Sequence, residues 1–504
     1  MNTFLNGLKN ETNFKMTENG AVAHKSTNSA VYDMFALGGA YRKRSNADCI
    51  TLFKDAFEED AVLALKCLFY LRDCRGGQGE RRFFRVCFKW LANNYPEAAI
   101  RNLDNVSEYG RWDDLIYTCE GTKIESNMFA IVKHQLALDV QCKTPSLLGK
   151  WLPSENASSR ETKRLANVLR EFLGMTHKEY RKTLSTLRAR INVLERLMSA
   201  NRWEEIEFDK IPSKAGLVYK NAFARRDLIA RKYEAFAKSE TTKVNAETLF
   251  PYEVVAKAVE RAGGSSCWGY NFKNFTDVDR AMIEKYWTNL PDYLNGNPCK
   301  MMCVVDTSGS MTGAAADAPL NVAISLGMYC AERIGGPFHN HYISFASQPQ
   351  LIKISGVDFV DKAQRIYKTN LCDNTDLSAV FALLKRIALD PNTNKDDIPE
   401  TIVVISDMEI DCGTGSWRGG NWTRSGAATE MEKIRAEWAA SGLKLPKLVY
   451  WNVNARNNTI LDSGSDVTFV SGCTPTIFEQ ILTGVTGYDL MIQKICSTRY
   501  EAVH

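Results

Sequence analysis

Histidine is scarce in this chain. Its six copies form no HExxH pair, so a zinc site built on imidazoles is not expected. None of the 14 cysteines forms a CxxC pair; the closest are Cys67 with Cys74 and Cys299 with Cys303. Many lie inside apolar runs, such as Cys87 in FFRVCFKWL and Cys330 in SLGMYCAERI. There a free thiol behaves as a small buried hydrophobe, which speaks against a disulfide framework and for a reducing compartment. No apolar run approaches the ~18 residues of a membrane span. The opening MNTFLNGLKNETNF lacks a basic stretch followed by an apolar one, so no signal peptide is expected and cytoplasmic residence is the default. An excess of one charge is missing too. The chain has 63 basic and 59 acidic residues, a net charge of +4, which for a single body would exclude a nucleic-acid binder.

What is present is ordinary globular composition: 45% apolar and 24% charged residues exclude disorder, collagen and a whole-chain coiled coil. Character changes near residue 298. Before it, segments of helical period recur, including Ala61–Leu71, Arg82–Asn93, Asn127–Val140 and Lys178–Met198. In the last, Leu184, Leu187, Ile191, Leu194 and Met198 form one apolar face. Turn signals separate the segments, among them Arg75-Gly76-Gly77-Gln78-Gly79, Pro153-Ser154 and Pro212-Ser213. No strand alternation stands out in the first 290 residues, so an α-solenoid of helix pairs is expected. After it, short apolar runs alternate with helices. The strands are expected at Lys300–Val305, His341–Phe345, Leu351–Ile354, Thr401–Ile405, Lys447–Val453 and Val467–Val470. The helices fall at Pro319–Ile334, Leu377–Ala388, Ala427–Ala440 and from Pro475. This alternation indicates an α/β domain with a mostly parallel sheet. Two domains follow, 1–297 and 298–504. Charge divides with them: residues 299–504 hold 18 basic and 22 acidic residues, a balance of −4, leaving +8 before them. The small total is a cancellation, and a basic helical half is what nucleic acid would need.

The sharpest motif is Asp306-Thr307-Ser308-Gly309-Ser310 at the carboxyl end of the first apolar run. Ligands of open α/β sheets bind outside the carboxyl ends of strands. One carboxylate and two hydroxyls converge from a tight loop that Gly309 eases, and such hard oxygens suit Mg²⁺. Asp373-Asn374-Thr375-Asp376 offers the Thr375 hydroxyl, and Ser406-Asp407 ends the run TIVVI with a carboxylate. Glu409 and Asp411 read as loop charge rather than a second metal set. A Ser-rich turn capping the next helix is the bland alternative. Asp-x-Ser-x-Ser, then Thr, then Asp after a strand resembles the metal-ion-dependent adhesion site of von Willebrand factor A domains over residues 298–480. That resemblance implies Asp306, Ser308, Ser310, Thr375 and Asp407 as the shell of Mg²⁺, Mn²⁺ or Ca²⁺, with an acidic protein partner at the open position.

A long helical array followed by an A domain resembles the Ro/TROVE ribonucleoprotein family. Leu249-Phe250-Pro251-Tyr252-Glu253 and Leu448-Val449-Tyr450-Trp451 sit where the family has a late helix and a late strand. RDCRGGQGERR at 72–82 and Gly110-Arg111-Trp112-Asp113-Asp114-Leu115 look like marks of a less-characterised branch. The resemblance implies a HEAT-like repeat array, closed into a ring in that family, joined to a Rossmann-like, doubly wound A domain. It implies binding of small non-coding or misfolded RNA. The RNA-binding candidates are Lys150, Arg160, Lys163, Arg164, Arg181, Lys182 and Arg188 in the middle of the helical half. Arg181 and Arg188 lie two turns apart on one helix and could track a phosphate backbone. The bland reading of each is a solvated charged face. No catalysis is expected, because no His lies near the metal motif and Asp407 is taken by the shell. The chain is read as a monomeric RNA-binding scaffold that recruits a partner through its metal site. Rival readings are a protein-interaction adaptor without RNA and, last, a Mg²⁺-dependent phosphoryl-transfer enzyme or nuclease.

Overall fold

The computed structural model describes residues 12–191, 193–262, 271–369, 374–411, 429–462, 464 and 466–504. It is a mixed α and β chain, helix-rich in its N-terminal region and carrying a mixed, mostly parallel sheet toward the C-terminus. Two compact units are formed, and neither is continuous in sequence. One comprises residues 1–67 and 246–497, the other 68–245 and 498–504.

The first unit is built on six strands: β3 (Met301–Asp306), β4 (His341–Phe345), β5 (Leu351–Lys353), β6 (Thr401–Ser406), β7 (Lys447–Asn452) and β8 (Val467–Ser471). Their order is β5-β4-β3-β6-β7-β8, all parallel except β5, which runs antiparallel to β4 at one edge. From β3 the chain moves outward to β4 and β5, then returns to the other side of β3 for β6, β7 and β8. The direction reverses between β3 and β6, and their carboxyl ends define a topological switch point. Both strands are buried almost throughout, as their unbroken apolar runs require. The helix Pro319–Arg333 packs on β3, β4 and β6.

The N-terminal segment belongs to this unit. Two three-residue strands, β1 (Phe14–Met16) and β2 (Val22–His24), form an antiparallel hairpin, contrary to the expectation of no strands before residue 290. Each is too short to show alternation. The helix Ala30–Gly38 covers β8: the Phe469 N–H donates to the Tyr32 hydroxyl at 2.9 Å, and the Ser471 hydroxyl to the Phe35 carbonyl at 3.1 Å. An edge strand is thereby screened. The helix Asp277–Thr288 stacks Trp287 on Phe359, with ring centroids 4.2 Å apart. Arg280 grips Asp358 with two bonds of 2.6 and 2.8 Å. The compact units thus depart from a cut at 297/298, because the described residues of 12–67 and 246–297 pack with the α/β unit.

The second unit is helical. Its helices include Arg81–Asn94, Trp112–Cys119, Glu125–Gln141, Arg160–Phe172 and His177–Arg190. The segment expected as one helix over Lys178–Met198 is two, His177–Arg190 and Leu194–Ser199, and Leu197 takes the buried place expected for Met198. The RGGQG stretch turns between helices, with Gly77 pressed on the Tyr70 carbonyl so closely that a Cβ would lie 1.9 Å from its oxygen. Asp114 of the GRWDDL motif is fully buried and receives Arg72 (2.5 and 2.9 Å) and Arg85 (2.6 Å). Arg111 pairs with Asp113 and lies 3.9 Å over the Trp151 ring. The last residues close the unit: Arg499 and Tyr500 bond the buried Asp73, and Asn102 exchanges hydrogen bonds with the His504 backbone. By these bounds the charge split is wider than at residue 298. The helical unit holds 33 basic and 23 acidic residues, a balance of +10, and the α/β unit 30 and 36, a balance of −6.

Candidate functional site

Asp306 ends β3 and Asp407 follows β6, on either side of the switch point, and both carboxylates are buried. Asp306 accepts from the Ser308 N–H at 2.9 Å and from the Ser406 hydroxyl at 2.5 Å. The Ser308 and Ser310 hydroxyls lie 3.0 Å apart, and Ser310 bonds the Asp407 carboxylate. Four of the five expected ligands are therefore joined by hydrogen bonds. Thr375 is buried one residue before Asp376, which caps the helix Leu377–Ala388. Its hydroxyl reaches the Glu409 carbonyl at 3.5 Å, and its N–H donates to Asp411 at 2.7 Å. It is tied to the loop that Asp407 opens. Asp373 lies outside the described residues. Gly309 has no left-handed φ, and a Cβ there would meet open space, so the turn does not need it. Strain sits instead at Met408, whose φ of +65° follows Asp407 directly.

The electrostatics are unbalanced. Burial first, and the nearby Asp407 charge second, push the Asp306 carboxyl up to about 7. Burial also raises Asp407, against the pull of Arg456. Asp407 Oδ2 is buried and makes no hydrogen bond, although the Arg456 guanidinium lies 3.1 Å from it. Two desolvated carboxylates beside converging hydroxyls fit a divalent cation with few protein charges and some retained water. Among the described residues no group of three or more His, Cys, Asp and Glu side chains could hold a metal, so a cation here would depend on the hydroxyls.

Glu409 and Asp411 are not free loop charge. Glu409 is 1% exposed and accepts from the Glu18 N–H (2.7 Å), the Thr459 hydroxyl (3.0 Å) and Asn457 (3.2 Å). Thr17 donates to the Ile410 carbonyl at 2.8 Å and Asn19 to the Glu409 carbonyl at 2.7 Å. The turn of the N-terminal hairpin is thus clasped to the loop beyond Asp407. Arg456 and Glu18 escaped the sequence reading. The available signal was Asn452-Val453-Asn454-Ala455-Arg456, a lone arginine after a parallel strand, on the same sheet edge as the two aspartates.

The expected RNA contacts separate in the helical unit. Lys150, Arg181 and Arg188 line one cavity of about 610 Å³ with Tyr180 and Arg196, but the carboxylates of Glu155 and Glu195 line it too. Arg188 is spent on the fold: it donates to the Gly149 and Leu152 carbonyls at 2.9 Å and to the Ser154 hydroxyl at 2.8 Å. It pins the 149–154 turn to its own helix, where Gly149 packs so tightly that a Cβ would lie 2.7 Å from Leu187. Arg164 holds Glu161 and Glu120 at 2.6 Å each. Arg181 is exposed, with Glu155 3.9 Å away, and Arg160, Lys163 and Lys182 are exposed.

Residues 17–119 and 150–297 match a family described as a domain of unknown function (DUF2828). Residues 300–493 match a second domain of unknown function (DUF7788). An uncharacterized protein of Acanthamoeba polyphaga mimivirus is 28% identical over 496 residues, covering 89% of this chain and 80% of the viral one. The two family matches meet near residue 298, where composition changes, whereas the compact units do not divide there.

Proposed function

We propose that this chain is a Ro-like RNA-binding scaffold, with a HEAT-like helical array that holds small structured or misfolded RNA and a von Willebrand A-type domain that recruits a partner. The observation that carries the reading is the pairing of Asp306 and Asp407 across the β3/β6 switch point, buried and short of positive charge. A bound Mg²⁺, Mn²⁺ or Ca²⁺ would supply an open coordination position for a partner's carboxylate or phosphate oxygen. Asp306, Ser308, Ser310 and Asp407 would hold it, with Thr375 steadying the loop. The RNA part draws on the +10 balance of the helical unit and on the cavity bearing Lys150, Arg181 and Arg196.

Two measurements test the reading. Calorimetric titration with Mg²⁺ or Mn²⁺ should give heat that Asp306→Asn abolishes; undiminished binding in the variant rejects the site. Filter binding of RNA should weaken linearly in log–log form as salt rises. A flat dependence, or no binding at low salt, rejects the RNA part. In that event the adaptor reading stands, and it has its own support: Arg164 and Arg188 are already engaged within the unit.

A further inference from the structure

Arg456 is the one cation that the described structure puts on either site carboxylate. One arm of its guanidinium lies 3.1 Å from Asp407 Oδ2, and the other bonds the Glu18 carboxylate on the hairpin turn. Glu18 is held from three sides: its N–H by Glu409, its carboxylate by Arg456 and by Asn457 at 2.8 Å. Arg456 is anchored in turn, because Arg44 donates to its carbonyl. The guanidinium therefore has two carboxylates within reach of a nearly fixed backbone. One is 1% exposed and belongs to the candidate site; the other is 42% exposed and does not.

The geometry points to Arg456 as a built-in competitor of the cation, an affinity-setting residue that neutralises Asp407 when the site is empty and withdraws onto Glu18 when a divalent ion takes the carboxylate. The inference rests on the cation reading above. A buried carboxylate left alone is costly, so the guanidinium stabilises the ion-free state. For the same reason it must be displaced before Asp407 can serve as a ligand, and the cation is bound more weakly than the oxygen set alone would allow. Glu18 lowers that cost by receiving the displaced charge. By linkage, cation binding then tightens the seat of the N-terminal hairpin on the Asp407–Asp411 loop, and the seated hairpin favours the cation.

The test is a double-mutant cycle read by calorimetric titration of Mn²⁺ into the full chain. Both side chains are partly exposed, so their amide variants should fold. Arg456→Gln is expected to bind Mn²⁺ about tenfold more tightly, within the ~5–150-fold span of typical site couplings. Glu18→Gln is expected to bind it several-fold more weakly. The double variant separates a relay from bulk charge. If Glu18 acts by receiving Arg456, its effect disappears once Arg456 is gone; if both act only through their charges, the two effects add. Additivity overturns the inference, as does unchanged affinity in Arg456→Gln. Wild-type heat that is lost in Asp306→Asn but indifferent to Arg456 rejects the competitor while leaving the cation site standing. No heat in any variant rejects both.

Discussion

Buried aspartates occur in both units, and their surroundings differ. In the helical unit Asp114 is closed by Arg72 and Arg85, and Asp73 by Arg499 and Tyr500. Asp139 is closed by Gln135, the Ser146 N–H and the Ser146 hydroxyl. In the α/β unit Asp306 and Asp407 face one another with a single guanidinium between two claimants. The same side chain is thus a rivet in one place and an open valence in the other. Burial of a carboxylate alone does not single out a candidate site, and neither does the lack of a cation, since neutral donors close Asp139; what sets Asp407 apart is a buried oxygen with no hydrogen bond beside a second buried carboxylate.

The sharpest way to break this contrast is to remove one carboxylate from each side. Asp114→Ala strands Arg72, which is 3% exposed, and should cost about 3–5 kcal/mol of stability in urea denaturation. Arg188→Ala leaves two backbone carbonyls without donors and should cost about 2–3 kcal/mol. Asp306→Asn, although the residue is just as buried, should change stability by less than ~1 kcal/mol, because it also removes a repulsion with Asp407. A loss as large as that of Asp114→Ala would erase the distinction between the units.

Acidity probes the same difference with opposite sign. Burial raises Asp306, so in chelator the folded state holds a proton that the unfolded chain releases near pH 4. The stabilisation is complete below about 4 and is lost as pH rises toward about 7. Burial also acts on Asp113, but Arg111 and Arg85 outweigh it and hold that carboxyl below its usual range. Its contribution is present above about pH 4 and disappears as pH falls through the folded value. Thermal melts of chelated protein should therefore show the α/β unit losing stability from pH 5 to 7.5 while the helical unit holds. A parallel response of both units would contradict the assignment. The smallest effect is at Arg181: Arg181→Ala should leave stability within ~0.5 kcal/mol and lower the RNA salt slope by about 0.7–0.9.

Much of the α/β unit was legible in the sequence because short apolar runs alternate with helical segments: His341–Phe345 and Leu377–Ala388 match the observed elements, and the other strands agree within a residue or two at each end. The Asp-x-Ser-x-Ser geometry was legible because its members are neighbours in sequence. What was not legible depends on distant partners. Glu18 and Arg456 are 438 residues apart and meet only through folding. Arg188 looks like any surface arginine until the 149–154 turn returns beneath it. The hairpin strands are too short to show a period, whereas the helix Phe359–Thr369 does carry one, with Phe359, Val360, Ala363, Ile366 and Tyr367 on a single buried face, and went unread.

The cover that Ala30–Gly38 gives to β8 has a consequence in time. Tyr32 and its partner Phe469 are separated by 437 residues, and residues 68–245 of the helical unit are translated between them. At synthesis rates of about 5–20 residues per second, the early helix waits roughly 20–90 s for its strand. Until then the early helix has only its sequence neighbour Asn46–Glu59 to pack against. The helical unit waits as well: Asp73 meets Arg499 and Tyr500 only once residues 498–504 have been made. Each unit is therefore stitched from segments far apart in the chain, and neither is complete until its C-terminal piece is made.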